Sequence, residues 1–285
     1  MATAGTLTVC LAWGLLLCGC GDEDFPKPAR QYVVEGWIEE GHFPTVKLTY
    51  TLPFSEDYIN FDSVENYVAR WQRVTVSDGE YTVALTGSMR RDNLPPYVYT
   101  TTDMRGQAGK SYTLTLYPVG QQPVTAVCTI PERTVVKSFS CHRLETQDTL
   151  FQIFATLDIP PTPVTYYRIF TRMLGDEGDF LPSFLGVFRS DMVGSDGKVA
   201  VHCGRSNIEE DYSPYFHEGQ QVEVRFCRID SAAYEYWRSF EDMLSLSRIP
   251  LFPVTNNMAG NVSGALGFWQ GWGSSYYMVR VAADE

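Results

Sequence analysis

The sequence predicts a mostly β protein with two β-rich domains, and three observations carry that prediction. Apolar and polar residues alternate through many short segments, which is the period-two pattern of strands. Gly, Pro and Asp separate these segments at intervals typical of turns. One stretch, near residues 231–247, shows helical spacing of its apolar residues. We therefore expect an N-terminal immunoglobulin-like or transthyretin-like sandwich and a C-terminal β domain with one helix.

Residues 1–19 carry no charge and end in Leu17-Cys18-Gly19, directly before Cys20. Their strongly apolar part is shorter than the roughly 20 residues that a membrane-spanning helix needs. A hydrophobic run that ends in a small residue and a cysteine resembles a bacterial lipoprotein signal. The resemblance implies that Cys20 receives lipid on its thiol and that residues 1–19 are removed. Because no basic residue precedes Lys27, an ordinary cleaved signal and a membrane-spanning anchor stay open as alternatives.

Residues 20–31 are acidic and then contain two prolines, which predicts an extended tether of at most about 35 Å. A first domain is expected over residues 32–131. Its alternating segments predict strands at Tyr32–Ile38, Val46–Tyr50, Val74–Val76, Tyr81–Leu85, Tyr112–Leu116 and Val124–Ile130.

The segment 52–66 interrupts this alternation and is both aromatic and acidic, so we interpret it as a long loop. Loops on rigid β scaffolds commonly carry binding. The residues of this loop that we predict to contact a partner or ligand are Phe54, Asp57, Tyr58, Phe61 and Asp62.

A second domain is expected over residues 132–285, after the boundary Pro131-Glu132-Arg133. Strands are predicted at Val135–Phe139, Leu150–Leu157, Tyr166–Thr171, Phe184–Phe188, Val199–Cys203, Gln221–Ile229 and Tyr277–Val281. Asp230 or Ser231 can cap the helix by accepting a hydrogen bond from its first N–H groups. Its apolar stripe is Tyr234, Trp237, Phe240 and Leu244.

A glycine-rich tail at residues 256–273 contains Trp269 and Trp272. Indoles beside glycines can present flat rings to a sugar or a partner, so both tryptophans are candidate contacts. The alternative is that their rings cap the core of the second domain.

Composition and motifs limit the chemistry. Lys and Arg number 22 against 34 Asp and Glu, a net charge of −12, which argues against nucleic-acid binding. The sequence holds no phosphate-binding loop, nucleophile elbow or zinc-protease motif. Adjacent residues on a strand point to opposite faces, so His202 and Cys203 are not expected to form a catalytic pair. We expect no enzymatic activity, cofactor or metal, and we interpret the acidic clusters as solvated loops.

Four cysteines remain beyond the tether: Cys128, Cys141, Cys203 and Cys227. They allow up to two disulfides in an extracytoplasmic protein, and buried free thiols are the alternative. No pair has the CxxC spacing of zinc or thioredoxin-like sites.

Several short segments, in their order, resemble the domain-of-unknown-function 4249 family of Bacteroidetes lipoproteins. They are Val33–Ile38, Thr45–Leu48, Gly109–Leu114, Tyr234–Trp237, Pro253–Asn257 and Gly260–Phe268. The resemblance implies a non-enzymatic, lipid-anchored outer-membrane protein that accompanies a TonB-dependent receptor in nutrient uptake. It also implies that Asp22, Glu23 and Asp24 form a signal for export to the cell surface. The alternatives are a surface protein that captures glycan or peptide alone, and a hydrolase.

Overall fold

The computed structural model describes residues 30–51, 65–90, 95–145, 147–158, 163–176, 178–205, 212–246 and 258–283. Within these ranges the protein is mostly β with one α-helix, which confirms the predicted fold class. The strands of the first half are β1 (Tyr32–Glu39), β2 (Thr45–Tyr50), β3 (Arg73–Ser77), β4 (Thr82–Met89), β5 (Tyr97–Thr100), β6 (Ser111–Tyr117) and β7 (Val124–Thr129).

The second half follows from Val136. Its strands are β8 (Val136–Leu144), β9 (Gln147–Leu157), β10 (Tyr166–Met173), β11 (Leu181–Arg189), β12 (Lys198–Val201), β13 (Phe216–His217), β14 (Gln221–Ile229), β15 (Val262–Ser263) and β16 (Leu266–Arg280). The helix α1 (Ser231–Leu246) lies between β14 and β15. Short 3-10 turns occupy Glu65–Tyr67 and Ser190–Met192.

Twelve strands form one continuous sheet in the order β11-β10-β14-β16-β1-β2-β5-β4-β3-β6-β7-β15. The sheet turns at β4, whose residues 82–85 pair with β3 and whose residues 86–89 pair with β5. The two arms on either side of that turn enclose the first hydrophobic core, which includes Val46, Val76 and Leu114. This is the sandwich that the alternating pattern predicts. A second core lies between the other end of this sheet and a small sheet of β8, β9, β12 and β13.

Strand β16 belongs to both halves of the protein. Its residues 266–272 run parallel to β1, and its residues 273–280 pair antiparallel with β14. Trp269 lies in the first core, while Val279 lies in the second. The first sandwich therefore includes a strand from the end of the chain, and the predicted division at residue 131 is not confirmed.

Glycines let β16 approach its neighbours closely. Gly36 of β1 faces Trp269, and a Cβ at Gly36 would lie 2.8 Å from Cε3 of that indole. A Cβ at Gly271 or Gly273 would collide with backbone of the segment 129–132. The glycine-rich tail is thus a strand from residue 266 onward and is buried over residues 267–273, where the small residues are required by packing.

Helix α1 begins where the sequence predicts. The Asp230 carboxylate accepts a 2.7 Å hydrogen bond from the Ala233 N–H, which is the expected N-terminal cap. Trp237 packs over the sheet and donates a 2.8 Å hydrogen bond from Nε1 to Oε1 of Gln270. The helix covers a third apolar cluster, which is on the sheet face opposite to the two cores and includes Phe268 and Trp272. Of the helices the structure describes, none combines the length and apolar character needed to cross a bilayer.

Candidate binding surface at the tether end

The predicted tether and the predicted contact loop leave the fold at the same point. Gln31 and Thr51 are joined by two hydrogen bonds, from the Thr51 N–H to the Gln31 carbonyl at 2.9 Å and from the Gln31 N–H to the Thr51 hydroxyl at 3.1 Å. Gln31 is the last residue of the tether, and the loop follows Thr51 directly. The predicted tether therefore ends directly beside the start of the predicted contact loop.

The chain returns from the loop beside its own entry. The 3-10 turn Glu65–Tyr67 ends the excursion, and Val68 then bridges Thr49 of β2. The Arg30 guanidinium lies 5.4 Å from the centre of the Tyr67 ring, which is a cation–π contact. Both ends of the loop are thus fixed against the entry of the chain.

The hydroxyl of the buried Tyr99 fixes the backbone of the turn at residues 69–72. Tyr99 donates a 2.6 Å hydrogen bond to the Ala69 carbonyl and accepts one of 2.9 Å from the Gln72 N–H. Tyr32 donates to Oε1 of Gln72 at 3.1 Å. Burial raises the pKa of Tyr99 to about 12, so this phenol stays neutral and keeps its proton for the Ala69 carbonyl.

Trp71 lies inside this turn in an unusual conformation. Its φ is 62°, in the left-handed region that bulky residues rarely adopt. Its side chain is 85% exposed, and its ring lies edge-on to that of Tyr97, with 5.9 Å between the two centroids. The Tyr99 hydroxyl holds the backbone on both sides of Trp71, which fixes the ring outward despite the strain.

Further apolar and basic residues surround Trp71 at this end of the sandwich. Met89 pairs with Tyr97 at the end of β4, and Arg73 pairs with Tyr117 at the end of β6. The Arg73 guanidinium lies 4.6 Å from the centre of the Tyr117 ring. We define the tether-end surface as the exposed residues of this region: Arg30, Trp71, Arg73, Met89, Arg90, Tyr117 and Val119.

Sequence reasoning missed the tether-end surface, although a signal was present. Arg70-Trp71-Gln72-Arg73 places an indole between two arginines immediately before a strand, in a chain of net charge −12. An aromatic residue flanked by basic residues is unusual in an acidic protein, and this pattern is visible in the sequence alone.

Two predicted contact residues are corrected by their burial. Trp269 is 0% exposed, and its Nε1 donates a 3.0 Å hydrogen bond to the Tyr112 carbonyl. Trp272 is 2% exposed and stacks on Trp37 with 5.2 Å between centroids. Neither ring has a face open to a partner, because the neighbouring glycines draw β16 into the fold.

The other predicted site residues lie outside the described residues. They are the lipidation site Cys20, the export residues Asp22, Glu23 and Asp24, and the loop residues Phe54, Asp57, Tyr58, Phe61 and Asp62. Their roles stay predictions.

A buried polar cluster joins the two halves. The Glu39 carboxylate accepts hydrogen bonds from Ser274 at 2.5 Å and Tyr276 at 2.8 Å, and a guanidinium nitrogen of Arg225 lies 3.9 Å away. Cys227 contacts the Ser274 hydroxyl at 3.3 Å, and burial raises the pKa of this thiol to about 12.

This arrangement is suited to fixing the two halves together. Ser274 donates its proton directly to Glu39. The His42 ring, whose Nδ1 lies 3.8 Å from Glu39 Oε1, therefore does not stand between hydroxyl and carboxylate as a general base would. The Cys227 thiol stays protonated near neutral pH and is a poor nucleophile.

The other residues considered for catalysis or metal binding do not form a site together in the described part of the chain. The His202 ring contacts the Phe184 carbonyl through Nδ1 at 2.8 Å, and burial lowers the pKa of this imidazole. Cys128 and Cys227 are buried free thiols, and no disulfide joins any of the four cysteines in the described part of the chain. The described ranges also hold no group of three His, Cys, Asp or Glu side chains placed to bind a metal ion.

Comparison with known proteins gives a family and a weak structural likeness. A family model described as a domain of unknown function (DUF4249) matches residues 22–275. Among solved structures, the chain is similar to a two-domain fibronectin type-III segment from chicken tenascin. That likeness has 13% identity and a TM-score of 0.21, and it covers 70% of this chain and 90% of the tenascin segment. No curated protein matches the chain.

Proposed function

Because this chain belongs to the DUF4249 family, we propose that it is a non-enzymatic outer-membrane lipoprotein of the cell surface, acting as an accessory or binding component of a TonB-dependent receptor. Cys20 is the lipid attachment site in this proposal, and Asp22, Glu23 and Asp24 promote export to the outer face. The loop 52–66 contacts the receptor.

One observation carries the proposal beyond the family resemblance. The hydrogen-bonded pair Gln31 and Thr51 places the start of the loop at the exit of the tether. The tether spans at most about 35 Å, so a lipid at Cys20 keeps the loop close to the plane in which a receptor lies. Aromatic side chains such as Phe54, Tyr58 and Phe61 are the type that dominates binding energy at interfaces.

The test is purification of the complex from membranes in mild detergent. We expect a receptor to co-purify with the wild type and to be lost when Phe54, Tyr58 and Phe61 are changed together to Ala. Tyr81→Ala is the matched control, since Tyr81 is an exposed aromatic residue in the β3–β4 turn at the opposite end of the sandwich. Circular dichroism confirms that each variant is folded.

Three results would count against the proposal. Equal recovery of the receptor with the triple variant would remove the loop from the interface. Isolation of the wild type alone, bound to glycan or peptide, would favour a capture protein. Turnover of such a ligand by the purified wild type would identify a hydrolase.

The export role has its own test. Protease added to intact cells should degrade the wild type and spare a variant with Asp22, Glu23 and Asp24 changed to Ala. Equal degradation of both would remove the export role of these carboxylates.

A further inference from the structure

We propose that the tether-end surface rests on the lipid bilayer, with the Trp71 indole at the depth of the headgroups and the arginines of this surface against lipid phosphates. This inference depends on the lipid anchor of the proposed function and adds a second, non-covalent contact with the membrane. It concerns the face of the folded domain, whereas the proposed receptor contact concerns the loop 52–66.

Charge is the first argument. The protein carries −12 overall, yet the tether-end surface includes three arginines and no acidic residue. The carboxylates of the tether and of loop residues 52–64 lie outside the described residues. Arg73 and Arg90 are exposed, and Arg30 is exposed at the exit of the tether. The β3–β4 turn at the opposite end of the sandwich instead exposes the acidic Glu80, while its Asp78 forms an ion pair with Lys110. A local basic face on an acidic protein fits an anionic surface, and guanidinium groups bind phosphate oxygens in a two-pronged geometry.

Apolar exposure is the second argument. Trp71 is 85% exposed and Val119 is 96% exposed, while Met89 and Tyr117 lie on the same end with much of their surface open. Trp and Tyr concentrate at membrane–water interfaces because their rings are apolar and their polar atoms reach water. The aliphatic parts of arginine side chains pack beside such rings, which places the guanidinium groups at the depth of the lipid headgroups.

Backbone conformation is the third argument. A positive φ at a tryptophan is unfavourable, and strain of this kind persists where the surroundings enforce it. Here the Tyr99 hydroxyl enforces it by binding both Ala69 and Gln72. The result is an indole held away from the core, which is how a membrane-inserted side chain must be presented.

The tether supplies the fourth argument. Its last residues, Arg30 and Gln31, form part of this end, and about 35 Å of extended chain is the most that separates it from Cys20. Both β1 and β16 run away from this end in parallel. An anchor at Cys20 therefore brings this end of the protein to the membrane before any other.

The experiment measures tryptophan depth in vesicles. The lipidated full chain is reconstituted into vesicles of brominated phosphatidylcholine mixed with phosphatidylglycerol, and bromine quenching of tryptophan fluorescence is recorded. We expect quenching to be about twofold stronger in the wild type than in Trp71→Phe, because an interfacial indole lies within reach of the bromine atoms. Trp71 is exposed, so this substitution leaves the core intact.

A matched control moves the indole to the other end. Tyr81→Trp in the Trp71→Phe background restores an exposed tryptophan, at a site far from the tether, and we expect no added quenching. The double variant Arg73→Gln and Arg90→Gln tests the charge, and its quenching should fall toward that of Trp71→Phe. Vesicles with the same content of brominated lipid, but with unbrominated phosphatidylcholine in place of phosphatidylglycerol, should reduce wild-type quenching in the same way.

The outcomes separate the bilayer contact from the anchor. A wild type that floats with the vesicles but is quenched no more than Trp71→Phe would overturn the bilayer contact and leave the anchor standing. Equal quenching of the Tyr81→Trp control would overturn it too, because the protein would then have no preferred end. Quenching that is the same with and without phosphatidylglycerol would show that the arginines do not bind lipid phosphates. It would mean that they pair with carboxylates of the protein instead. A wild type that does not float would refute the anchor and this inference together.

Discussion

The Tyr276 hydroxyl donates a 2.8 Å hydrogen bond to Oε1 of Glu39, a residue 237 positions earlier in the chain. The bond ties the end of β1 to the part of β16 that serves the second half. The Glu39 carboxylate is almost completely buried and is matched by two hydroxyl donors and the nearby Arg225 guanidinium. Removing either the buried carboxylate or one of its partners is expected to lower the stability of the fold.

We predict that Glu39→Ala lowers the free energy of unfolding by about 3 kcal/mol, because it leaves the Arg225 charge buried without its carboxylate. Tyr276→Phe should cost only about 1 kcal/mol, the usual value of one hydrogen bond. Glu80→Ala, at an exposed turn position, should change stability by less than about 0.5 kcal/mol. Denaturant unfolding measures all three. A loss at Glu39 as small as that at Glu80 would show that the cluster adds little to stability.

Gly36→Ala should destabilise the protein by about 1–3 kcal/mol, the usual cost of forcing an extra methyl into a packed core. The added Cβ would lie 2.8 Å from Trp269, whose indole is held by its hydrogen bond to the Tyr112 carbonyl. Gly178→Ala is the matched control, because a Cβ there meets no atom within 4 Å. Thermal unfolding of both variants decides the matter, and similar melting temperatures would contradict the packing role of Gly36.

The positive φ of Trp71 leads to a prediction about backbone strain. Trp71→Gly should be more stable than Trp71→Ala by about 1 kcal/mol, since glycine adopts a positive φ without the penalty that alanine incurs. At ordinary strand or helix positions the order is the reverse, with alanine favoured. Denaturant unfolding of the two variants compares them directly. Alanine being equal or better at this site would mean that Trp71 does not hold the left-handed conformation in solution.

The pH dependence of stability should involve Glu241 of α1. Burial raises the pKa of this carboxyl to about 7, although Arg168 and Arg238 oppose the shift. The folded protein then holds a proton that the unfolded chain has released, so stability is highest below the unfolded pKa and is lost as pH rises through about 7. Glu241→Gln should therefore stabilise the protein at about pH 8 and have little effect near pH 4.

The expected gain from Glu241→Gln at the higher pH is about 1–2 kcal/mol, because one pKa unit corresponds to about 1.4 kcal/mol and solvent screens part of the effect. Asp242→Asn, on the exposed neighbour in the same helix, serves as the control. Equal pH profiles for the wild type and Glu241→Gln would show that Glu241 is already ionised in the folded state at neutral pH.

Lipid attachment can be tested by a pair of cysteine variants. Cys20→Ala should move the protein from the membrane fraction to the soluble fraction, because a thioether-linked lipid requires the thiol. Cys18→Ala, two positions earlier in the predicted leader, should leave the protein in the membrane fraction. Immunoblotting of fractionated cells measures both. A Cys20→Ala protein that stays with the membrane would rule out Cys20 as its anchor.

Local patterns predicted the elements whose causes are local. The alternation in β1 and β14 is visible in the sequence, and the Asp230 cap marks the start of α1 as expected. Strand β16 was largely missed because its glycines are typical of loops, and only the backbone of residues 129–132 explains why they are needed. The four-residue strand β5 is too short to show alternation.

The candidate surface was harder to predict for a related reason. Trp71 is exposed because Tyr99, a residue 27 to 30 positions away from its partners in the turn, fixes the backbone. From the sequence, Trp269 and Trp272 are candidate contacts with a core role as the alternative, and their burial depends on strands that the sequence does not show to be neighbours. In each case the exposure of an indole is decided by contacts distant in sequence.

The sharing of β16 determines the order in which the protein can be completed during synthesis. Val33, near the start of the folded region, pairs with Leu266, so the first sandwich lacks a strand until the last part of the chain has been made. Contacts of such long sequence separation form late and slow folding. Until they form, the β1 edge has unpaired backbone groups that can join other chains. The β1 edge therefore stays open to other chains until the segment near residue 266 has been made, even though residues 32–131 look like an independent domain.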